Sequence, residues 1–132
     1  MQDLVLVKAL GIGGFFFRAE DPSGLAAWYE RHFDVAHMGD YGDPGWDQEA
    51  GPTVFTPFEN KTTYFGRPTQ SWMINFRVAD LRAAADELIS DGIDVEVDPK
   101  TYPNGRFARL TDPEGNPIQL WEPMDVAPKG DA

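Results

Sequence analysis

Apolar and polar positions along the chain fall into two rounds of one pattern. Residues 13–19 are dominated by Phe15, Phe16 and Phe17 and read as a buried strand. Asp21-Pro22 follows, with Asp suited to accept free amide N–H groups as an N-cap and Pro suited to the first helical position. Leu25, Trp28, Tyr29 and Phe33 then recur at helical spacing, and the helix is predicted to end near Asp34. Residues 36–60 mix Gly, Pro and aromatic side chains and read as three short strands, at 36–39, 46–50 and 53–58. From Glu59 the chain turns polar, with Gly66 and Pro68, and reads as a linker.

The pattern then starts again. Residues 72–78, WMINFRV, read as a strand. Asp80 caps a second helix with the stripe Leu81, Ala84, Ala85, Leu88 and Ile89, and Asp91-Gly92 stops it. Residues 93–97 alternate like a strand, and 106–111 and 117–122 complete the set around a Pro-Glu-Gly-Asn turn. Asp21 and Asp80 lie 59 residues apart, as do Phe17 and Phe76 and also Arg18 and Arg77. The architecture predicted twice is strand, helix, three strands.

Bulk properties narrow the function classes. The chain has 132 residues and a formal net charge of −11. Such a surface repels phosphate backbones and anionic membranes, so neither nucleic acid nor a membrane is an expected partner. There is no cysteine, which removes disulfides, thiolate metal sites and cysteine nucleophiles. The first residues lack the charged-then-apolar order of a signal peptide, and no apolar run approaches a membrane span, so a cytoplasmic location is expected. The GIGG at 11–14 precedes a strand instead of opening a helix, so it is no dinucleotide fingerprint.

Two stretches carry a family resemblance: FRVADLRAAADELISDGIDV at 76–95 and the DPEGN turn at 112–116. With the repeated plan, they make residues 11–123 resemble the vicinal oxygen chelate superfamily of glyoxalase I, bleomycin-resistance proteins and extradiol dioxygenases. The resemblance implies an α+β fold in which tandem βαβββ modules form a curved mixed sheet around a cleft, with helices outside. The expected layout is one domain over 1–123, made of a module at 11–60, a linker at 61–71 and a module at 72–123, then a flexible tail at 124–132. It also implies a homodimer. The metal members hold one divalent ion through two ligands from each half. Carried over, these positions fall on Gly14, Met73, Gln119 and residues 54–56. None offers the imidazole or carboxylate such an ion needs. No metal is therefore expected at the usual place, and no other cofactor.

Strand alternation sorts the side chains into two faces. Ile74, Phe76, Val78, Ala108, Leu110, Ile118 and Leu120 should pack on the helices. Phe16, Met73, Asn75, Phe107, Arg109, Gln119 and Trp121 should face the cleft, with Trp46 beside them. These eight are the candidate ligand-binding residues, an aromatic set with two amides and a guanidinium suited to a carboxylate. Arg18 and Arg77 are expected near the sheet ends, paired with Glu122 or another acid. His32 and His37 are expected outside the cleft.

Three readings follow. The first is a protein that binds a small aromatic or carboxylate-bearing molecule in a metal-free cleft, similar to the antibiotic-sequestering members. The second is a divalent-metal-dependent lyase, isomerase or dioxygenase with displaced ligands such as Glu49 and His37. The third is a partner-binding dimer in which Trp72, Trp121 and Tyr102 form an interface. Catalytic residues are not legible.

Overall fold

The computed structural model describes residues 7–37, 39 and 42–124. Their elements are α1 (Pro22–Phe33), β1 (Ile74–Arg77), α2 (Leu81–Ser90), β2 (Glu96–Val97), β3 (Gly105–Thr111) and β4 (Pro117–Pro123). The fold is α+β. The strands form a four-stranded mixed sheet in the order β1-β4-β3-β2, with β1 parallel to β4 and the other pairs antiparallel.

Both helices begin as their sequences dictate. The Asp21 carboxylate accepts from the Gly24 N–H at 3.1 Å, and the Asp80 carboxylate accepts from the Ala83 N–H at 3.0 Å. Asp34 closes α1 in the left-handed region, with φ 57°. Past α2, Gly92 takes φ +87°, which a glycine adopts without steric cost.

The core forms where the helices meet one face of the sheet. Ile74, Phe76, Val78, Ala108, Leu110, Ile118 and Leu120 line that face against Leu25, Tyr29, Leu81 and Leu88. Leu81, Ile118 and Leu120 are fully buried, each contributing about 2 kcal/mol of apolar transfer. The alternation expected of the second half is the one observed. Ile89 departs from the expected stripe and is 47% exposed, because α2 turns it away from the sheet.

The first half differs from expectation. Among the described residues no strand pairs at 13–19, 46–50 or 53–58, and the stretch at 36–39 includes Met38, which lies outside them. A strand exists only where a neighbour completes its ladder. Pro44, Pro52 and Pro57 also remove backbone donors from this region. Residues 13–19 dock through rings instead. Phe15 and Phe17 lie 5.1 and 4.9 Å from Trp72, and Phe17 lies 6.4 Å from Tyr29. Phe16 points away and is 92% exposed. Of the expected tail at 124–132, residues 125–132 fall outside the described residues.

Candidate cleft on the open face of the sheet

Register on the open face aligns side chains into two rows. Asn75, Gln119 and Arg109 are neighbours across β1, β4 and β3, and Glu96 on β2 extends the row. Arg77, Trp121 and Phe107 form the next row. One row is polar and the other largely aromatic, because the same residue spacing runs through all three strands.

The polar row is joined by hydrogen bonds. The Asn75 amide donates to the Gln119 carbonyl at 2.7 Å, and the Gln119 amide donates to the Tyr64 hydroxyl oxygen at 2.8 Å. The Arg109 guanidinium lies over the Tyr64 ring, 4.1 Å from its centroid. The aromatic row is fixed as well. The Trp121 indole N–H donates to the Asn104 carbonyl at 2.8 Å, and the Phe107 ring lies parallel to the indole with centroids 6.4 Å apart. Tyr102 meets Phe107 edge-on at 5.9 Å. Its hydroxyl donates to Asp98 at 2.8 Å. That bond raises the Tyr102 pKa, while the Lys100 backbone N–H and then this hydroxyl lower that of Asp98.

Asn75 and Gln119 of the first row, with Trp121 and Phe107 of the second, floor a cleft of about 770 Å³. The segment at 54–73 roofs it, bringing Val54, Thr56, Phe58, Tyr64, Trp72 and Met73 over the sheet. Arg67 pins the far end of that roof, donating to the Glu114 carbonyl at 3.3 Å and to Gln70 at 2.8 Å. The volume is in the range of small-molecule sites.

Five of the eight candidate residues line this cleft: Met73, Asn75, Phe107, Gln119 and Trp121. Arg109 lies on the same side of the sheet but is covered by Tyr64, and it borders a second depression of about 670 Å³ with Asp94 and Glu96. Phe16 and Trp46 are elsewhere. Phe16 has no strand to aim it, and Trp46 packs edge-on against Phe76, 6.2 Å away on the helix side. Tyr64 is the residue that strand periodicity could not find, because it sits in the linker. Its one signal was an aromatic pair, Tyr64-Phe65, within a polar stretch.

The Arg77 guanidinium donates to the Glu49 carbonyl at 2.9 Å, not to Glu122. Glu122 instead accepts from the Leu81 N–H at 2.8 Å, where the start of α2 leaves a free donor. His32 faces Asp91 at 3.5 Å and His37 faces Glu30 at 2.9 Å, both away from the cleft lining. Trp121 is buried within its own chain, so it is not a free interface residue.

Of the positions matching the usual metal ligands, Met73, Gln119, Val54 and Thr56 converge on the cleft, while Gly14 does not border it. Glu59 supplies the sole carboxylate among the described lining residues, and no histidine lines it. With one carboxylate and no imidazole, this lining does not fit the histidine and glutamate ligand set of the metal-holding members. No group of three or more potential ligands that could hold a metal occurs among the described residues. Nor is any helix there long and apolar enough to cross a membrane.

Comparison with known proteins places the chain. Residues 14–121 match the glyoxalase-like domain family, and the protein belongs to it. It is similar to the solved structure of TnmS3, an antibiotic binding protein from Streptomyces sp. CB03234, with 23% identity and a TM-score of 0.57. That match covers 88% of this chain and 100% of TnmS3. A glyoxylase/bleomycin resistance protein/dioxygenase domain from Frankia sp. EAN1pec matches with 17% identity and a TM-score of 0.56, covering 89% of this chain and 100% of that one. Both likenesses are of fold. A search of curated proteins found no match.

Proposed function

We propose that this protein binds a small aromatic or carboxylate-bearing molecule in its cleft without a metal ion. The observation that carries the reading is the polar row Asn75–Gln119–Tyr64 beside Phe107 and Trp121, in a lining that holds one carboxylate and no histidine. Aromatic walls supply apolar contact area, and the amides orient a polar group on the ligand. The antibiotic-binding role of TnmS3 supports the same direction. Homodimerisation and a cytoplasmic location are part of the proposal.

The enzyme alternative has less support, because its displaced ligands do not reach the cleft. His37 pairs with Glu30, and Glu49 is absent from the lining. Two measurements test the choice. Thermal-shift screening with aromatic carboxylates and glycopeptide antibiotics is expected to give a saturable stabilisation. Metal analysis of protein purified without chelator is expected to give no stoichiometric Mn, Fe, Ni or Zn. A stoichiometric metal overturns the proposal, and so does a full panel without any stabilisation.

A further inference from the structure

The polar end of the cleft is filled by a side chain of the protein itself. The Tyr64 hydroxyl oxygen takes the amide hydrogen that Gln119 would offer a ligand. The Tyr64 ring covers the Arg109 guanidinium, which makes no hydrogen bond or ion pair among the described residues. One phenol therefore satisfies an amide donor and a guanidinium face together. Asn75 fixes the polarity of the set: its N–H holds the Gln119 carbonyl, so the free end of Gln119 is a donor. The position accepts a planar ring carrying an acceptor oxygen.

Tyr64 is also placed to leave. It is 37% exposed, and besides Gln119 and Arg109 its side chain meets the stacked Phe58 ring, with centroids 6.0 Å apart. Its backbone is held in a turn, with the Tyr64 N–H donating to the Thr62 hydroxyl at 3.2 Å and the Gly66 N–H to the Thr63 carbonyl at 3.1 Å. Downstream, Arg67 ties the segment to the 112–116 turn. The roof is thus tied through its backbone and Arg67, independently of the Tyr64 ring.

We propose that Tyr64 occupies the place of the ligand's own aryl group. The ligand is then an aryl compound with an acceptor oxygen on its ring, a phenol or an aryl carboxylate, which displaces Tyr64 and takes over Gln119 and Arg109. The inference rests on the small-molecule reading above and assigns it a ligand class and a specificity residue.

Calorimetric titration with 4-hydroxybenzoate tests it, with cyclohexanecarboxylate as the probe that lacks an aryl ring. Tyr64→Ala removes the internal competitor, a hydrogen bond and a cation–π contact, and should tighten 4-hydroxybenzoate binding about tenfold, or about 1.4 kcal/mol. Tyr64→Phe keeps the ring and frees only Gln119, so a gain of about threefold is expected. Cyclohexanecarboxylate should gain less than the aryl probe. Unchanged or weaker aryl binding in Tyr64→Ala, with wild-type binding intact, makes Tyr64 a wall and overturns the inference while the small-molecule reading stands. An equal gain for both probes overturns the aryl requirement. If 4-hydroxybenzoate binds neither protein the inference falls, and the small-molecule reading falls with it only if the antibiotic and carboxylate panel also has no effect. Circular dichroism melts of each variant keep loss of fold apart from loss of binding.

Discussion

The Tyr29 hydroxyl donates to the Asp112 carboxylate at 2.7 Å, and this buried bond joins α1 to the turn between β3 and β4. Asp112 also accepts from the Asn116 side chain at 2.8 Å and from the backbone N–H groups of Glu114 and Asn116. The carboxylate thus organises its own turn and holds the helix against it. Tyr29→Phe keeps the ring contacts with Phe33 and Phe76 and loses only this bond. A loss of about 1–2 kcal/mol in urea unfolding is expected. A change below about 0.3 kcal/mol would show that the bond adds nothing net.

Tyr29 also sets an alkaline limit. Burial, then the Asp112 carboxylate, push its hydroxyl well above the ordinary value near 10. A pKa raised on folding contributes stability that is fully present below the unfolded value and is lost as pH rises through the interval above it. Stability should therefore fall from about pH 10 upward, and the fall should shrink in Tyr29→Phe. Equal alkaline slopes for both proteins would remove Tyr29 as the cause.

Glu114 is the second link between the halves. Its two carboxylate oxygens accept from the N–H groups of Glu20 at 2.8 Å and Asp21 at 3.0 Å. Glu114→Gln keeps one acceptor oxygen, whereas Glu114→Ala keeps none. Glu114→Ala should cost about 1 kcal/mol, discounted for exposure. Amide hydrogen exchange should quicken at residues 20 and 21 in that variant and less in Glu114→Gln. Unchanged exchange at both amides would mean the contact does not persist in solution.

The second half was legible because one residue type at each position decides its structure. Asp80 caps α2, Asp112 to Asn116 build the turn, and the alternation through Ala108, Leu110, Ile118 and Leu120 has one buried solution. A register slip would drive Arg109 and Gln119 into the core. The first half offered a weaker signal. Phe15, Phe16 and Phe17 are apolar on both faces, so periodicity could not say which face, or whether a ladder, would bury them. For the cleft, alternation found Asn75, Gln119, Phe107 and Trp121 because they sit on strands. It missed Tyr64, whose place depends on a tertiary hydrogen bond to Gln119 and not on local pattern.

Gly105 is required by the cleft wall. It has φ +136°, and a Cβ there would meet the Glu122 carbonyl oxygen and lie 2.8 Å from the Trp121 indole nitrogen. The indole is held there by its bond to the Asn104 carbonyl. Gly105→Ala must strain the backbone and push Trp121 off that acceptor. A loss of about 2–3 kcal/mol is expected, with a shift in tryptophan fluorescence. Wild-type stability with unshifted emission would contradict this packing.

Gln119→Glu puts back the residue type that the metal members use at this position. The Asn75 N–H can still donate to the new carboxylate, and the Tyr64 hydroxyl can reverse its role and donate too. The variant should fold with a stability change within about 1 kcal/mol. Its added negative charge, beside the partly buried Arg109, should weaken binding of an aryl carboxylate about tenfold. The added carboxylate should not create a metal site, because Met73 offers a soft thioether and residues 54–56 offer no carboxylate or imidazole. Elemental analysis after loading with Mn²⁺ or Zn²⁺ and desalting should find well under one ion per chain. A full equivalent of bound metal would mean that Glu59 or another group completes a ligand set, and that the wild-type cleft is a single ligand short of a metal site.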